Sequence, residues 1–241
     1  MTDPDSGEPG SGNLADLYKH DFWIKENQKH IPAHYRLKKS ARIINAIAGQ
    51  EERGLLDVGC GPATLMRLLR PNIHYHGIDI AIHDPGPNLI ESDILENSIR
   101  FDGESFDIIT ALGLFEYVGG CQDAKFSEIA DLLSEDGKFV VTYTNFGHRD
   151  KHIFKAFSNV QPLGDFRRSL ARHFTIDRCF PTSYNWHGGQ PNHALLKAAN
   201  MRVQANIPIV GPRLAVEYFF ICSRPLRRGY ALWMSMTPSA Q

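Results

Sequence analysis

Two rhythms of apolar residues run along this chain. From Leu14 to about Gly49 the spacing is helical: Leu37, Ala41, Ile44 and Ala48 recur every three or four positions, and Gly49 ends the run. The opposite face carries Arg36, Lys38, Lys39 and Arg42, a pattern expected of a solvated surface. From Gly54 to about Thr144 short apolar runs alternate with longer amphipathic stretches. Leu55 to Val58, the segment ending at Gly77-Ile78-Asp79, a third run ending before Ser92, and Phe106 to Leu112 read as strands. A helix with Phe126, Ile129, Ala130 and Leu133 on one face is expected to break at Gly137 before the fifth strand. Residues 145–190 read as an irregular insert holding one amphipathic helix around Phe166, Leu170 and Phe174. A helix from His193 to about Asn200 then leads to two strands, Arg202–Val210 and Leu214–Ser223, which the Gly211-Pro212 turn would join as an antiparallel pair.

Strands alternating with helices predict an α/β fold, a parallel sheet with helices on both faces and ligands at the carboxyl ends of its strands. One crossover departs from that pattern. Between Asp79 and Asn88 lie only eight residues, two of them proline and one glycine, whereas a parallel crossover normally needs a dozen or more. The usual second crossover helix is therefore expected to be missing. The thinned side of the sheet would need a cover, from the N-terminal region or from a second subunit in a homodimer.

Composition narrows the partners. The 241 residues make one buried domain with a modest appendage, and a formal net charge of −1 gives no support for a nucleic-acid or membrane-surface binder. The longest apolar run, Ala215 to Cys222, is interrupted by Glu217 and is too short to span a bilayer. Residues 1–12 are acidic and rich in Gly, Pro and Ser, a disordered tail without the apolar core of a signal sequence. Residues 13–49 then form a helical cover, 50–223 the main domain, and 224–241 a non-periodic tail. Cys60, Cys121, Cys179 and Cys222 are widely spaced, as expected for buried free thiols in a reducing cytoplasm. No metal is expected, because His74 and His76 share a strand face without a recognisable third ligand.

The most informative stretch is Leu55-Leu56-Asp57-Val58-Gly59-Cys60-Gly61-Pro62-Ala63-Thr64. It reads as a strand, a glycine turn that brings bare backbone near a ligand, and a helix with Pro62 at its first position. Asp57 is placed to meet a cationic ligand. Asp79, at the end of the second strand, can accept from both hydroxyls of a ribose, and Asp93 with Ile94 can meet the amine and ring face of adenine. Each also has a plain reading as a cap or turn residue. Two cofactors compete for this set. Gly59-Cys60-Gly61-Pro62-Ala63-Thr64 is a broken dinucleotide fingerprint, with Thr64 at the third glycine position, so NAD is one option. Asp57 beside the first glycine would repel a pyrophosphate and suits the sulfonium S-adenosylmethionine better.

Taken in order, these segments, with Phe106-Asp107-Ile108-Ile109-Thr110-Ala111-Leu112 and Leu132-Leu133-Ser134-Glu135-Asp136-Gly137, resemble the class I S-adenosylmethionine-dependent methyltransferases over about Gly54 to Ser223. The resemblance implies a Rossmann-like, seven-stranded, mostly parallel sheet with an antiparallel last strand. It implies that Asp57, Gly59, Gly61 and Pro62 surround the methionine part of the cofactor. Asp79 then serves the ribose, and Asp93 and Ile94 the adenine, with Ile80, Ala111 and Leu112 also expected to bind the cofactor and the stretch after Leu112 on the pocket floor. Arg36 would pair with the methionine carboxylate, with Trp23 and Tyr35 closing over the cofactor.

Thr142-Tyr143-Thr144-Asn145-Phe146-Gly147-His148 is similar to a stretch of the MetW-like proteins of the methyltransferase type 11 group, and Pro181, Tyr184, Trp186 and Pro191-Asn192-His193 loosely match a second. The implied activity is methyl transfer to a small molecule, with oxygen as the favoured acceptor, in secondary or glycan or lipid metabolism. A MetW-like, non-catalytic regulator of a partner enzyme is the competing class, and an NAD-dependent oxidoreductase a third. The candidate bases are His148, His187 and Tyr184, with Glu116 and Tyr117 able to face the acceptor. Arg167, Arg168, Arg172 and Arg178 read either as a solvated face or as a clamp for an acidic acceptor.

Overall fold

In the computed structural model, residues 35–82, 84–101, 103–145, 161–183 and 217–225 are described. Helix α1 (Tyr35–Ala48) ends where expected, at Gly49, whose φ of 62° is the left-handed conformation glycine adopts at low cost. Strand β1 (Arg53–Val58) is followed by β2 (Ile73–Asp79) and the short β3 (Leu89–Glu91). Strand β4 (Phe106–Leu112) leads through the one-turn α2 (Phe115–Val118) into α3 (Gln122–Leu132) and β5 (Leu133–Thr144). Helix α4 (Leu163–His173), strand β6 (Thr175–Ser183) and strand β7 (Glu217–Ser223) complete the described elements.

The seven strands form one sheet in the order β3-β2-β1-β4-β5-β7-β6. Strands β1 to β5 pair in parallel, while β7 runs antiparallel to both β5 and β6. One face packs against α3 and α4. There Phe115, Phe126, Phe139, Phe166 and Phe174 make a chain of aromatic contacts, and Tyr143 stacks on Phe166 at 3.8 Å between ring centroids. The other face carries α1, which buries Ala41, Ile44 and Ala48 over β1 and β2. Its Ile43 packs on Val140, Phe180 and Phe219.

The missing second crossover helix is as expected: β2 reaches β3 with no helix among the described residues between them. The chain holds this tight passage with Gly77 N donating to Asn88 O (2.9 Å) and Ser92 N to Asp79 O (2.7 Å). Several other expectations are corrected. No α-helix follows the glycine turn; the β1–β2 connection holds a single 3-10 turn, Met66–Leu68, and Pro62 opens no helix. Ala63 sits at φ 51°, outside right-handed helical space, so no helix can run on from Pro62, and Pro71 disfavours helical angles at Arg70. Helix α3 ends at Leu132, not at Gly137, because Leu133 already pairs with Phe106. Residues 163–183 are not irregular: they supply α4 and β6. The last strand is described over Glu217–Ser223, and its two neighbours are β5 and β6; Arg202–Val210 and residues 214–216 lie outside the described residues.

The basic face of α1 is not simply solvated either. Lys38 and Arg42 are exposed, but Lys39 is buried and donates to Pro181 O at 2.8 Å, near the rings of Phe180 and Phe219. Burial lowers the Lys39 amine to about 8. Arg168 and Arg172 pair with Asp165 and Asp123 on exposed surface, which fits the solvated reading. The cysteines among the described residues are free; Cys121 is exposed, contrary to expectation. Among the described residues no helix is long and apolar enough to cross a membrane, and no cluster of three metal-ligating side chains occurs.

Candidate active site

A cavity of about 340 Å³ opens at the carboxyl ends of β1 to β4, within the usual range for small-molecule sites. The glycine turn forms one wall. Gly59 (φ 75°) and Gly61 (φ 53°) hold angles that side chains resist, and a Cβ on Gly59 would lie 2.9 Å from the Leu114 side chain. The turn's donors are used inside the protein: Gly59 N and Cys60 N reach Ile78 O at 2.8 and 3.2 Å, and Gly61 N reaches Asp79 Oδ2 at 2.8 Å. A pyrophosphate site needs such donors, usually with a helix N-terminus behind them. Those three N–H groups are already paired and no α-helix follows the turn, which counts against the dinucleotide reading.

Asp79, Ile80, Asp93 and Ile94 all line the cavity, together with Gly59, Gly61, Pro62, Leu112 and Arg36. Asp79 Oδ1 also accepts from Ala81 N at 3.3 Å. Burial pushes the Asp79 carboxyl up, and the backbone N–H groups of Gly61, Ala81 and Ile80 offset this only in part. Asp93 Oδ1 accepts from Leu95 N at 2.9 Å, an Asx turn that presents the second carboxylate beside buried Ile94.

Asp57 and Ala111 do not line the cavity. Asp57 lies under α1, where it accepts from Tyr75 Oη (2.8 Å) and Thr110 Oγ1 (2.6 Å). Burial raises its carboxyl to about 6, although both hydroxyls pull the other way. The carboxylate therefore ties β1 to β2 and β4 just before the turn. Ala111 points to the opposite face of the sheet, into the aromatic core.

The end of the cavity beside α1 and β4 is a cluster of buried charges. Arg36 donates from Nε to Glu217, 2.9 Å from Oε1 and 3.2 Å from Oε2, and from Nη1 to Leu112 O at 3.4 Å. Burial acts to lower the Arg36 pKa, but the Glu217 and Glu116 carboxylates outweigh it and hold the guanidinium above its usual value. Glu116, on α2, is buried, and its Oε1 accepts from Thr144 N (3.0 Å) and Thr144 Oγ1 (2.8 Å). Burial, then the Glu217 charge, raise the Glu116 carboxyl, against the pull of Arg36 and Thr144.

His148, His187 and Tyr184, like Trp23, lie outside the described residues. Glu217 was not among the residues singled out for the site. Its signal was present: a lone carboxylate inside the apolar run Ala215 to Cys222 needs a buried cation as partner. Tyr75, read only as a neighbour of two histidines, is the partner of Asp57.

A family model described as a methyltransferase domain matches residues 33–196. No curated protein sequence matches the chain significantly. Among solved structures, the fold is similar to a putative methyltransferase in complex with the Trm112 methyltransferase activator of Haloferax volcanii. The two are 16% identical over 90% of this chain and 100% of that one, with a TM-score of 0.60. A methyltransferase from Archaeoglobus fulgidus is 14% identical over 85% of this chain and 100% of its own, with a TM-score of 0.58. The plantazolicin methyltransferase BpumL, bound to a triazolic desmethylPZN analog and SAH, is 15% identical over 88% and 95%, with a TM-score of 0.57. The chain belongs to the methyltransferase domain family and has the class I S-adenosylmethionine-dependent methyltransferase fold.

Proposed function

We propose that this methyltransferase moves the methyl group of S-adenosylmethionine to a hydroxyl oxygen of a small molecule. The observation that carries the reading is the donor set of the cavity. Two carboxylates, Asp79 and Asp93, line it on the β2–β3 side, and the Arg36 guanidinium lines it beside α1 and β4. Such a set suits a ligand with ribose hydroxyls and an adenine amine at one end and a carboxylate at the other. The turn fits as well: a Cβ on Gly59 would press on Leu114 in the cavity wall, and the N–H groups of Gly59, Cys60 and Gly61 are already paired within the protein. The cofactor supplies a methyl already activated by its sulfonium. The chain's own part is to bind and orient. Asp79 and Asp93 hold the nucleoside, Arg36 receives the carboxylate, and the apolar wall of Leu112, Leu114 and Val118 excludes water. Alignment of this kind is worth roughly 7–11 kcal/mol.

A hydroxyl acceptor also gains from a base, by about 10²–10⁴-fold. His148 follows β5, whose carboxyl end at Thr144 meets Glu116 beside the cavity, and is assigned that role ahead of His187 and Tyr184. BpumL has a bound azole compound in its structure, which agrees with a small-molecule acceptor here.

Calorimetric titration of S-adenosylmethionine and S-adenosylhomocysteine into the pure protein tests the cofactor reading. Saturable binding of both is expected, and absence of binding to either would sink it. His148→Ala should lower turnover with little change in cofactor affinity; intact turnover removes His148 as the base. Binding without turnover on any hydroxyl compound would favour the regulatory reading.

A further inference from the structure

Arg36 reaches the cavity from the first turn of α1, yet it is held by the last strand of the sheet. Glu217, the first residue of β7, is buried and its Oε2 accepts the guanidinium Nε at 3.2 Å, with Oε1 in ion-pair contact at 2.9 Å, across 181 positions of sequence. A second restraint comes from β4, where Leu112 O accepts Nη1 at 3.4 Å. A third is steric. Gly113 has φ 72°, and a Cβ there would fall 2.1 Å from Arg36 Nη1 and 3.4 Å from Nη2. Glycine at 113 is thus what lets the guanidinium lie against the chain beyond β4. Nε and Nη1 are engaged, whereas among the described residues no hydrogen bond occupies Nη2 of this cavity-lining side chain.

We propose that Glu217 is a positioning residue for the cofactor's amino-acid end: with Gly113 it fixes Arg36 so that Nη2 receives the methionine carboxylate. This rests on the carboxylate-binding role given to Arg36 above. A long arginine left unrestrained would sample many rotamers and lose entropy on binding; one already fixed by Glu217 does not. A planar guanidinium can serve two carboxylates at once through different edges in a fixed geometry, which the point charge of a lysine would not impose. Strand β7 therefore contributes to cofactor affinity although Glu217 itself need not touch the ligand.

The test compares two probes, S-adenosylhomocysteine and 5′-methylthioadenosine, which share the nucleoside and thioether but differ in the amino-acid group. Dissociation constants for both are measured on the full chain and on Arg36→Ala, Glu217→Ala, Glu217→Gln and Gly113→Ala, with thermal unfolding as a check of folding. Arg36→Ala and Glu217→Ala should weaken S-adenosylhomocysteine by about tenfold or more and change 5′-methylthioadenosine by less than about twofold. Gly113→Ala should show the same selective loss, and Glu217→Gln, which keeps an acceptor without the charge, a smaller one. If Glu217→Ala does not fold, Glu217→Gln carries the test through the same ratio. Selective loss in Arg36→Ala with none in the Glu217 variants overturns the positioning role and leaves the Arg36 reading intact. Equal loss for both probes in the Glu217 variants marks a merely structural role and also overturns it. No selective loss in Arg36→Ala overturns the Arg36 reading itself, and this inference with it.

Discussion

The two ends of the cavity are built by different means. At the end lined by Asp79 and Asp93, proposed above to hold the nucleoside, each carboxylate is held by backbone close to it: Asp93 by Leu95 N, two residues on, and Asp79 by Gly61 N, eighteen residues away in the turn after the neighbouring strand β1. At the Arg36 end the contacts run from Arg36 to Leu112 and Glu217, across 76 and 181 positions. One end is therefore a set of local turns on consecutive strands. The other exists only once α1, β4 and β7 are packed together. Local turns tolerate change elsewhere in the fold, whereas a tertiary charge cluster depends on every element that carries a member of it.

Asp57 offers the largest expected effect and tests where the first end stops. Its folded carboxyl lies at about 6 against an ordinary 3.8. Between those values the folded state keeps a proton that the unfolded state has released, so stability falls as pH rises from about 4 to 6 and is level above. The two-unit gap corresponds to up to about 3 kcal/mol. Urea unfolding at intervals from pH 4 to 7 should show that fall in the parent and a shallower one in Asp57→Asn, the difference isolating this group from Asp79 and Glu116. Cofactor affinity should stay nearly unchanged in Asp57→Asn. A large loss of affinity would return Asp57 to the binding set.

Asp79→Ala comes next. Loss of hydrogen bonds to an ionised carboxylate should weaken cofactor binding by roughly 1.5–3 kcal/mol. Unlike Arg36→Ala, it should weaken S-adenosylhomocysteine and 5′-methylthioadenosine alike, because both carry the ribose. Calorimetry with the two probes decides, and unequal loss would erase the division between the ends. Gly59→Ala should have a smaller effect. Left-handed backbone disfavours a side chain by about 1–2 kcal/mol, and the new methyl would press on Leu114 in the cavity wall. Reduced thermal stability with reduced affinity is expected, and an unperturbed protein would mean that the turn needs no glycine at 59.

The same contrast explains what the sequence could reveal. Asp79, Asp93 and the glycine turn were legible because strand ends and turn residues leave local patterns, and their order gave the sheet and the class. The short passage after Asp79 was legible for a steric reason, since two prolines leave no room for a helix. The pairing of Arg36 with Glu217 is not legible, because a carboxylate in an apolar strand calls for a buried cation without saying which one, and Arg36 lies 181 positions away on a basic helix face. Asp57 was read as a ligand contact from its place beside the turn, yet strand alternation turns its side chain beneath α1 towards Tyr75 and Thr110. The helix expected after the turn is absent: Pro62 suits a first helical position, yet Ala63 beside it takes a left-handed φ of 51°, and the passage holds only a 3-10 turn.

The smallest expected effect lies where the crossover helices are absent. Met66 and Ile90 are the large apolar side chains left exposed among the described residues, 46% and 40% accessible, and Ile90 sits on β3, the three-residue strand at the sheet edge. An exposed isoleucine with no cover contributes little, so Ile90→Lys should shift stability by no more than about 0.5 kcal/mol. It should also discourage edge-to-edge pairing. Denaturant unfolding of parent and variant at several protein concentrations reads both quantities together. A loss above about 1 kcal/mol would show that something covers the edge. If the parent's midpoint also rises with protein concentration and the variant's does not, that cover is a second copy of the chain. A concentration-independent loss would place the cover within the chain, making this edge a packed surface like the one beneath α1.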